Sequence, residues 1–316
     1  MDEEIDRQGT AHAVIGIGGF GTFVALCILA LKDTLLGVNH SLSVLDSNKE
    51  DIDRAKEAGI AHQYLNPAGD EADFGDDRHD SIIRWPEMFD PRTKFFVRFA
   101  EKYGADAMDA FGVGAGAGTR PPFGQFVFRS KRSTVCEFLR DRLGAALATA
   151  ETVQPIFVGS GGGGTSCPGI LECARLTGTP DGLAECIDQS PSRVRKPWVF
   201  TLPPFIQSRM APTDVFKLRP LANYFAFMLE CDALARRKVI EYSIRLNTQN
   251  GVGAAVDTVP AAATLMADVI ADTMIGSDAA LATFCDGWMI VRHNPDLRGL
   301  QTKPRPSRFA RKHGPR

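Results

Sequence analysis

Three segments of this chain are rich enough in glycine to let a phosphate approach the backbone. They are Gly16-Ile17-Gly18-Gly19-Phe20-Gly21-Thr22, Gly112-Val113-Gly114-Ala115-Gly116-Ala117-Gly118, and Gly159-Ser160-Gly161-Gly162-Gly163-Gly164-Thr165-Ser166. A phosphate is held best by backbone N–H groups at the start of a helix, where the helix dipole adds to the attraction. A Cβ in such a turn holds the anion away, so glycine is used there. The candidate phosphate contacts are Gly18, Gly19, Gly21 and Thr22 in the first segment. They are Gly114, Ala115 and Gly116 in the second, and Gly161, Gly162, Gly163, Gly164, Thr165 and Ser166 in the third. Thr165 and Ser166 also suit the N-cap of a following helix, a role compatible with phosphate binding.

The first segment alone is ambiguous. It reads GxGGxG, close to the fingerprint of NAD- and FAD-binding Rossmann domains. That fingerprint pairs with an acid at the end of the second strand, and Asp46 is placed to play that part. The third segment shifts the balance. A dinucleotide needs one glycine turn at its pyrophosphate, whereas two cradles at neighbouring strand ends suit a triphosphate enclosed from both sides. No lysine follows the glycines in a Walker A arrangement, which excludes P-loop chemistry.

The elements that would position these loops are legible as apolar runs. Ala13 to Ile17 reads as a buried strand turning into a helix that begins near Thr22. Leu42 to Leu45 is a second strand, closed by Asp46, and Lys49 to Ala58 is helical. Ser130 to Thr149 has helical spacing, and Pro155 to Val158 is a third strand, followed by the third glycine segment and a helix from about Gly169. Val199 to Leu202 and Val239 to Ser243 read as further strands, and Ala261 to Phe284 as one buried helix broken near Gly276. Strands alternating with helices imply an α/β fold: a doubly wound, mostly parallel, Rossmann-like sheet with helices on both faces.

The 316 residues suffice for one large domain, expected over 13–296 with an acidic surface insertion at 64–80. Residues 1–12 read as a flexible N-terminus, and 297–316 as a basic, disordered tail suited to contact an anionic partner. A formal net charge of −2 gives the whole molecule no bias toward nucleic acid or membrane, so no specific nucleic acid is expected. The longest apolar run, Phe20 to Leu31, is too short to cross a bilayer. Seven cysteines without a CxxC pair argue against a disulfide framework or zinc site and fit a reducing cytoplasm.

Taken in order, these segments resemble the tubulin/FtsZ family, and FtsZ more than tubulin. Val14-Ile15-Gly16-Ile17-Gly18-Gly19-Phe20-Gly21-Thr22 looks like the family's first glycine loop. Val113 to Gly118 is similar to its LGAGAN segment, which contacts the γ-phosphate. Ile156 to Ser166 is similar to the strand and GGGTGTG signature, and Phe200-Thr201-Leu202-Pro203-Pro204-Phe205 to the next strand with its TxPF end. Arg219 with Ala222 resembles the RxxA near the phosphates and ribose. Ser243-Ile244-Arg245-Leu246 stands where the family has an NDRL-like segment after a strand, and His293-Asn294-Pro295-Asp296 where it has NxDxxD.

The resemblance implies a guanine-nucleotide-binding protein that holds GTP or GDP with Mg²⁺ on the phosphates. It would self-associate head to tail in the cytoplasm with GTP at the subunit interface. Arg219 and Ser243 would then belong to the nucleotide site, and Asp268 or Ala267 to the guanine-reading position, where an aspartate accepts from N1 and N2. Asn294 and Asp296 would act on the neighbour's nucleotide as the catalytic loop. The second acid of that loop falls on Gly299, and the family's C-terminal domain is expected to be absent. Two other functions stay open: a catalytically degenerate FtsZ-like nucleotide-binding scaffold, and an NAD- or FAD-dependent oxidoreductase.

Overall fold

The computed structural model describes residues 9–65, 121–187, 191–210, 214–246, 255–275 and 289–292. Seven strands form one sheet in the order β3-β2-β1-β4-β5-β6-β7. They are β1 (Thr10–Ile17), β2 (His40–Asp46), β3 (Ala61–Tyr64), β4 (Thr152–Ser160), β5 (Trp198–Leu202), β6 (Tyr242–Leu246) and β7 (Met289–Arg292). The first six pair in parallel and β7 runs antiparallel to β6. The expected doubly wound, mostly parallel α/β sheet is therefore present.

The helices are α1 (Gly18–Ala30), α2 (Lys49–Glu57), α3 (Pro121–Ser130), α4 (Arg132–Thr149), α5 (Ser166–Gly178), α6 (Pro180–Cys186), α7 (Phe205–Met210), α8 (Asp214–Arg236) and α9 (Val259–Ile275). Alternate strand residues feed two cores, as a sheet covered on both faces requires. Val14, Ile156, Val158, Phe200 and Ile244 pack with Val24 and Ile28 of α1 and Ala263 and Met266 of α9. Ala13, Ile15, Ile17 and Phe157 point the other way, into α3, α4, α5 and α8.

Several sequence boundaries move. The helix after the first loop begins at Gly18, not Thr22. The helix after the third loop begins at Ser166, not Gly169. The expected strand Val239–Ser243 is replaced by Tyr242–Leu246. Val239 instead closes α8, its N–H donating to the Leu234 carbonyl at 2.9 Å. An apolar run that caps a helix has the same composition as one that begins a strand. The helix expected over Ser130–Thr149 begins at Arg132 as α4, with Ser130 closing α3, and the one expected over Ala261–Phe284 starts at Val259 and is described as far as Ile275. The strand β7 was not expected. The insertion at 64–80 falls almost wholly outside the described residues, while the basic tail, the second glycine segment with Gly114, Ala115 and Gly116, and Asn294 and Asp296 lie entirely outside them.

Candidate functional site

The chain runs β1, β2, β3 toward one edge of the sheet, then returns to place β4 on the other side of β1. Strand order therefore reverses between β1 and β4. Ligands of open α/β sheets bind at such a point, outside the C-terminal strand ends. The first and third glycine segments are the two loops found there.

The first loop is built for close approach. Gly18 has φ of 73°, a left-handed backbone that favours glycine. A Cβ on Gly18 would lie 3.2 Å from Cβ of Ser166, so the first turn of α1 touches the first turn of α5. Gly16 on β1 lies directly against the Gly21 backbone of α1, with no room for a side chain on either, and Gly21 also abuts the Val158 carbonyl of β4. These contacts seat α1 on two strands at once.

Two helix N-termini thus converge. By position, the amides of Gly18, Gly19 and Phe20 have no intrahelical acceptor. No side chain caps either helix. In the third loop the amides divide. Gly161 donates to the Leu202 carbonyl at 2.9 Å, Gly162 to Ser160 Oγ at 3.3 Å and Gly163 to the Ser160 carbonyl at 3.4 Å. Among the described residues, the amides of Gly164, Thr165 and Ser166 take no acceptor. The expectation that Gly161 to Gly164 all cradle phosphate is therefore narrowed. Gly161 and Gly162 are packing glycines, pressed against the Tyr224 ring and Pro204, and the loop amides left without an acceptor are those of Gly164, Thr165 and Ser166. The hydroxyls of the last two do not cap α5. Ser166 Oγ donates to the Ser160 carbonyl at 2.6 Å, and Thr165 Oγ1 lies 2.7 Å from Ser47 Oγ. Thr22 is buried, its hydroxyl 3.4 Å from the Gly18 carbonyl.

The Ser47–Thr165 contact, invisible in the sequence, ties the residue after β2 to the third loop. Asp46 sits at that strand end as expected, but only 1% exposed. Its Oδ1 accepts from the Asn48 N–H at 3.1 Å, and its Oδ2 has no partner among the described residues. Burial pushes its carboxyl up to about 7; the Asn48 N–H opposes this and the Asp51 charge adds to it. Asp46, expected as a cofactor contact, is buried at the end of β2, next to the Ser47–Thr165 contact. Asp51 is held by Arg54 at 2.7 Å and Asn48 at 2.9 Å.

The remaining expected residues divide. Arg219 lies on α8, whose neighbouring Pro220 carbonyl would lie 3.0 Å from a Cβ on Gly162, so its backbone borders the third loop. Ser243 is corrected in place: it is buried inside β6, three residues before the strand's end, roughly 10 Å from the C-terminal edge. Asp268 is half-buried on α9, the helix packed against α1, whereas Ala267 faces the core and can read nothing. Behind α5, buried Glu172 is shared by Arg175 at 3.1 Å, Arg129 at 3.5 Å and Arg132 at 3.9 Å; Arg132 and Arg175 reach on to Glu185 and Glu230. This chain of charges fixes the helix whose first turn meets Gly18. The six cysteines of the described residues are free, and burial pushes the Cys167 and Cys173 thiols up, which leaves them unreactive.

No group of three metal-ligating side chains occurs among the described residues. A Mg²⁺ here would ride on phosphate oxygens and water, its usual manner with nucleotides.

The chain is similar to solved structures of the tubulin/FtsZ kind. One is CetZ2 from Haloferax volcanii in a GTPγS-bound protofilament, at 14% identity and a TM-score of 0.48, covering 88% of this chain and 64% of that one. Another is CetZ1 from Haloferax volcanii as a GDP-bound monomer, at 11% identity and a TM-score of 0.47, with the same coverage of 88% and 64%. A third is a C-terminally truncated TubZ of Clostridium botulinum phage c-st, at 11% identity and a TM-score of 0.44, covering 85% and 61%. The chain therefore spans less than two thirds of the length of these structures. No protein-family model matches it, and no curated protein does.

Proposed function

We propose that this chain binds a guanine nucleotide, its phosphates lying between the first turns of α1 and α5. The observation that carries the reading is the meeting of Gly18 with Ser166 at the β1/β4 reversal, with uncommitted amides on both helices. Two positive helix ends facing one gap favour a multiply charged anion. Two glycine loops at neighbouring strand ends, joined to the end of β2 through Ser47 and Thr165, support a nucleoside triphosphate over a dinucleotide. Guanine, in preference to adenine, follows from the family resemblance and from Asp268.

A thermal-shift panel of GTP, ATP, NAD and FAD tests this. GTP at a hundredfold its dissociation constant is expected to stabilise the chain by about 2.7 kcal/mol. Stabilisation by NAD without GTP would overturn the reading.

We also propose that the chain self-associates beside this site. Leu218, Phe225 and Leu229, 64%, 67% and 53% exposed, lie along α8, the helix whose Tyr224 and Asn223 contact Gly161 and Gly162. A second copy covering this stripe places the nucleotide next to the contact, as head-to-tail association requires. Phe225→Glu is expected to weaken association at least roughly tenfold without lowering stability, because the side chain is exposed in the monomer. Sedimentation of both proteins with GTP checks this, and equal profiles would refute it. Hydrolysis by Asn294 and Asp296 of a neighbour then makes turnover rise steeply with protein concentration. Tight GTP binding without turnover marks the scaffold, which Gly299 in place of the second acid favours.

A further inference from the structure

The end of the sheet opposite the glycine loops carries a second concave site. A cavity of about 330 Å³ lies at the N-terminal ends of β5 and β6, beside the C-terminal end of α8. Arg195, Lys196 and Lys238 line it, against a wall that includes Val194 and Ile240. Glu241 is the one acid on the lining among the described residues, and its Oε2 already accepts from Trp198 Nε1 at 2.9 Å. None of the three cations has an ion-pair partner among the described residues. The strands between this cavity and the glycine loops are about 15 Å long, so the two sites are separate.

Lys238 gives the cavity its second mark. Its φ of 58° is the single positive value at a non-glycine residue in the described parts of the chain. It closes α8 through a two-bond cap, Lys238 N–H to the Ala235 carbonyl and Val239 N–H to the Leu234 carbonyl, both 2.9 Å. Glycine is the usual occupant of that left-handed position, because it adopts it without steric cost. Positive charge near the helix end would complement its dipole, but Arg236 and Arg237 already supply that from unstrained positions. Lys238 thus holds a left-handed position that favours glycine, and it lines the cavity. The cationic field extends inward to His12 on β1, whose ring centroid lies 6.3 Å from that of Trp198. Burial holds His12 down to about 4, and the Arg195 charge lowers it further.

We propose that this cavity binds a small phosphorylated organic molecule, its phosphoryl oxygens on Arg195, Lys196 and Lys238 and its carbon skeleton on the Val194–Ile240 wall. The volume falls in the range of small-ligand pockets. A concave, partly apolar site of this size fits a metabolite-sized anion better than a nucleic-acid backbone or a membrane surface, which need an extended face.

Calorimetric titration of the full chain with ribose 5-phosphate, and separately with inorganic phosphate, tests the proposal. Saturable binding of ribose 5-phosphate is expected, tighter than that of inorganic phosphate. Arg195→Gln is expected to weaken it at least roughly tenfold through loss of a charge-assisted pair. Lys238→Gly is expected to weaken binding several-fold while raising the unfolding midpoint by roughly 2–4 °C, because it relieves the backbone. That opposite movement separates a ligand role from a structural one. Binding unchanged in both variants overturns the proposal, as does a lower midpoint in Lys238→Gly. Equal affinity for inorganic phosphate, or binding confined to anionic vesicles or an oligonucleotide, overturns the small organic ligand.

Discussion

Asp46→Asn is expected to gain about 4 kcal/mol of folding stability at pH 8 and nothing at pH 4. The folded chain raises this carboxyl from its ordinary 3.8 to about 7, chiefly by burial. Below pH 3.8 the group is protonated whether the chain is folded or not, so it contributes no pH dependence. Between 3.8 and 7 the folded state holds a proton that the unfolded state has released, and stability falls as pH rises. Above 7 the buried carboxylate is charged in both states and its full cost stands. At about 1.4 kcal/mol per tenfold change in proton affinity, the interval amounts to roughly 4 kcal/mol. The neutral amide escapes that cost while keeping the shape and the bond from the Asn48 N–H.

His12 works in the opposite sense over nearly the same window. Its folded value, lowered from 6.5 to about 4, makes stability fall as pH drops through that range. Between pH 6.5 and 4 these two contributions offset each other in the parent chain. Removing Asp46's charge leaves the His12 contribution alone, so the variant should lose more stability on acidification than the parent. Urea denaturation at pH 8, 6 and 4 reads all of this. A variant offset from the parent equally at each pH would show that burial does not penalise the charge of Asp46. Because Asp46 is buried at the end of β2, the variant should also retain its stabilisation by GTP.

How much of this site the sequence revealed depended on the kind of interaction. Gly16, Gly18 and Gly21 were legible because the need for a missing Cβ is written in the residue type. The parallel sheet was legible because strands buried on both faces leave unbroken apolar runs such as Val14 to Ile17 and Ile156 to Val158. What stayed hidden was set by tertiary geometry. Nothing local ties Ser47 to Thr165, 118 residues on, yet that contact joins the end of β2 to the third loop. Four consecutive glycines looked like one cradle, but Leu202, Tyr224 and Pro204 claim the first half of the run. Ser243 was misplaced because Val239 and Ile240, apolar enough for a strand, belong to a helix cap. Lys238 carried no signal, since a left-handed backbone at lysine is not encoded in composition.

Gly16→Ala is expected to cost about 3 kcal/mol and to abolish the response to GTP, although it adds one methyl group. The added carbon would overlap the Gly21 carbonyl oxygen, and the Gly21 Cα would lie 3.3 Å from it. These atoms are backbone, so no rotamer change relieves the overlap. Gly21 cannot retreat sideways, because its other neighbour is the Val158 carbonyl of β4. The helix must therefore lift from both strands, which loosens the packing of Val24 and Ile28 against Ile156 and Val158. Overpacking of this kind typically costs 1–3 kcal/mol, and rigid backbone on both sides places Gly16 at the upper end of that range. Lifting α1 also separates Gly18 from Ser166, so the two helix N-termini no longer face one gap. Gly144→Ala is the matched control. Gly144 lies within α4, a Cβ there would meet nothing within 4 Å, and the change should stabilise the chain by about 0.5–1 kcal/mol. Chemical denaturation of the two variants, followed by GTP thermal shifts, separates a glycine kept for close packing from one that is merely tolerated. A Gly16→Ala protein that unfolds and binds like its parent would show that the β1–α1 contact does not hold the phosphate loop.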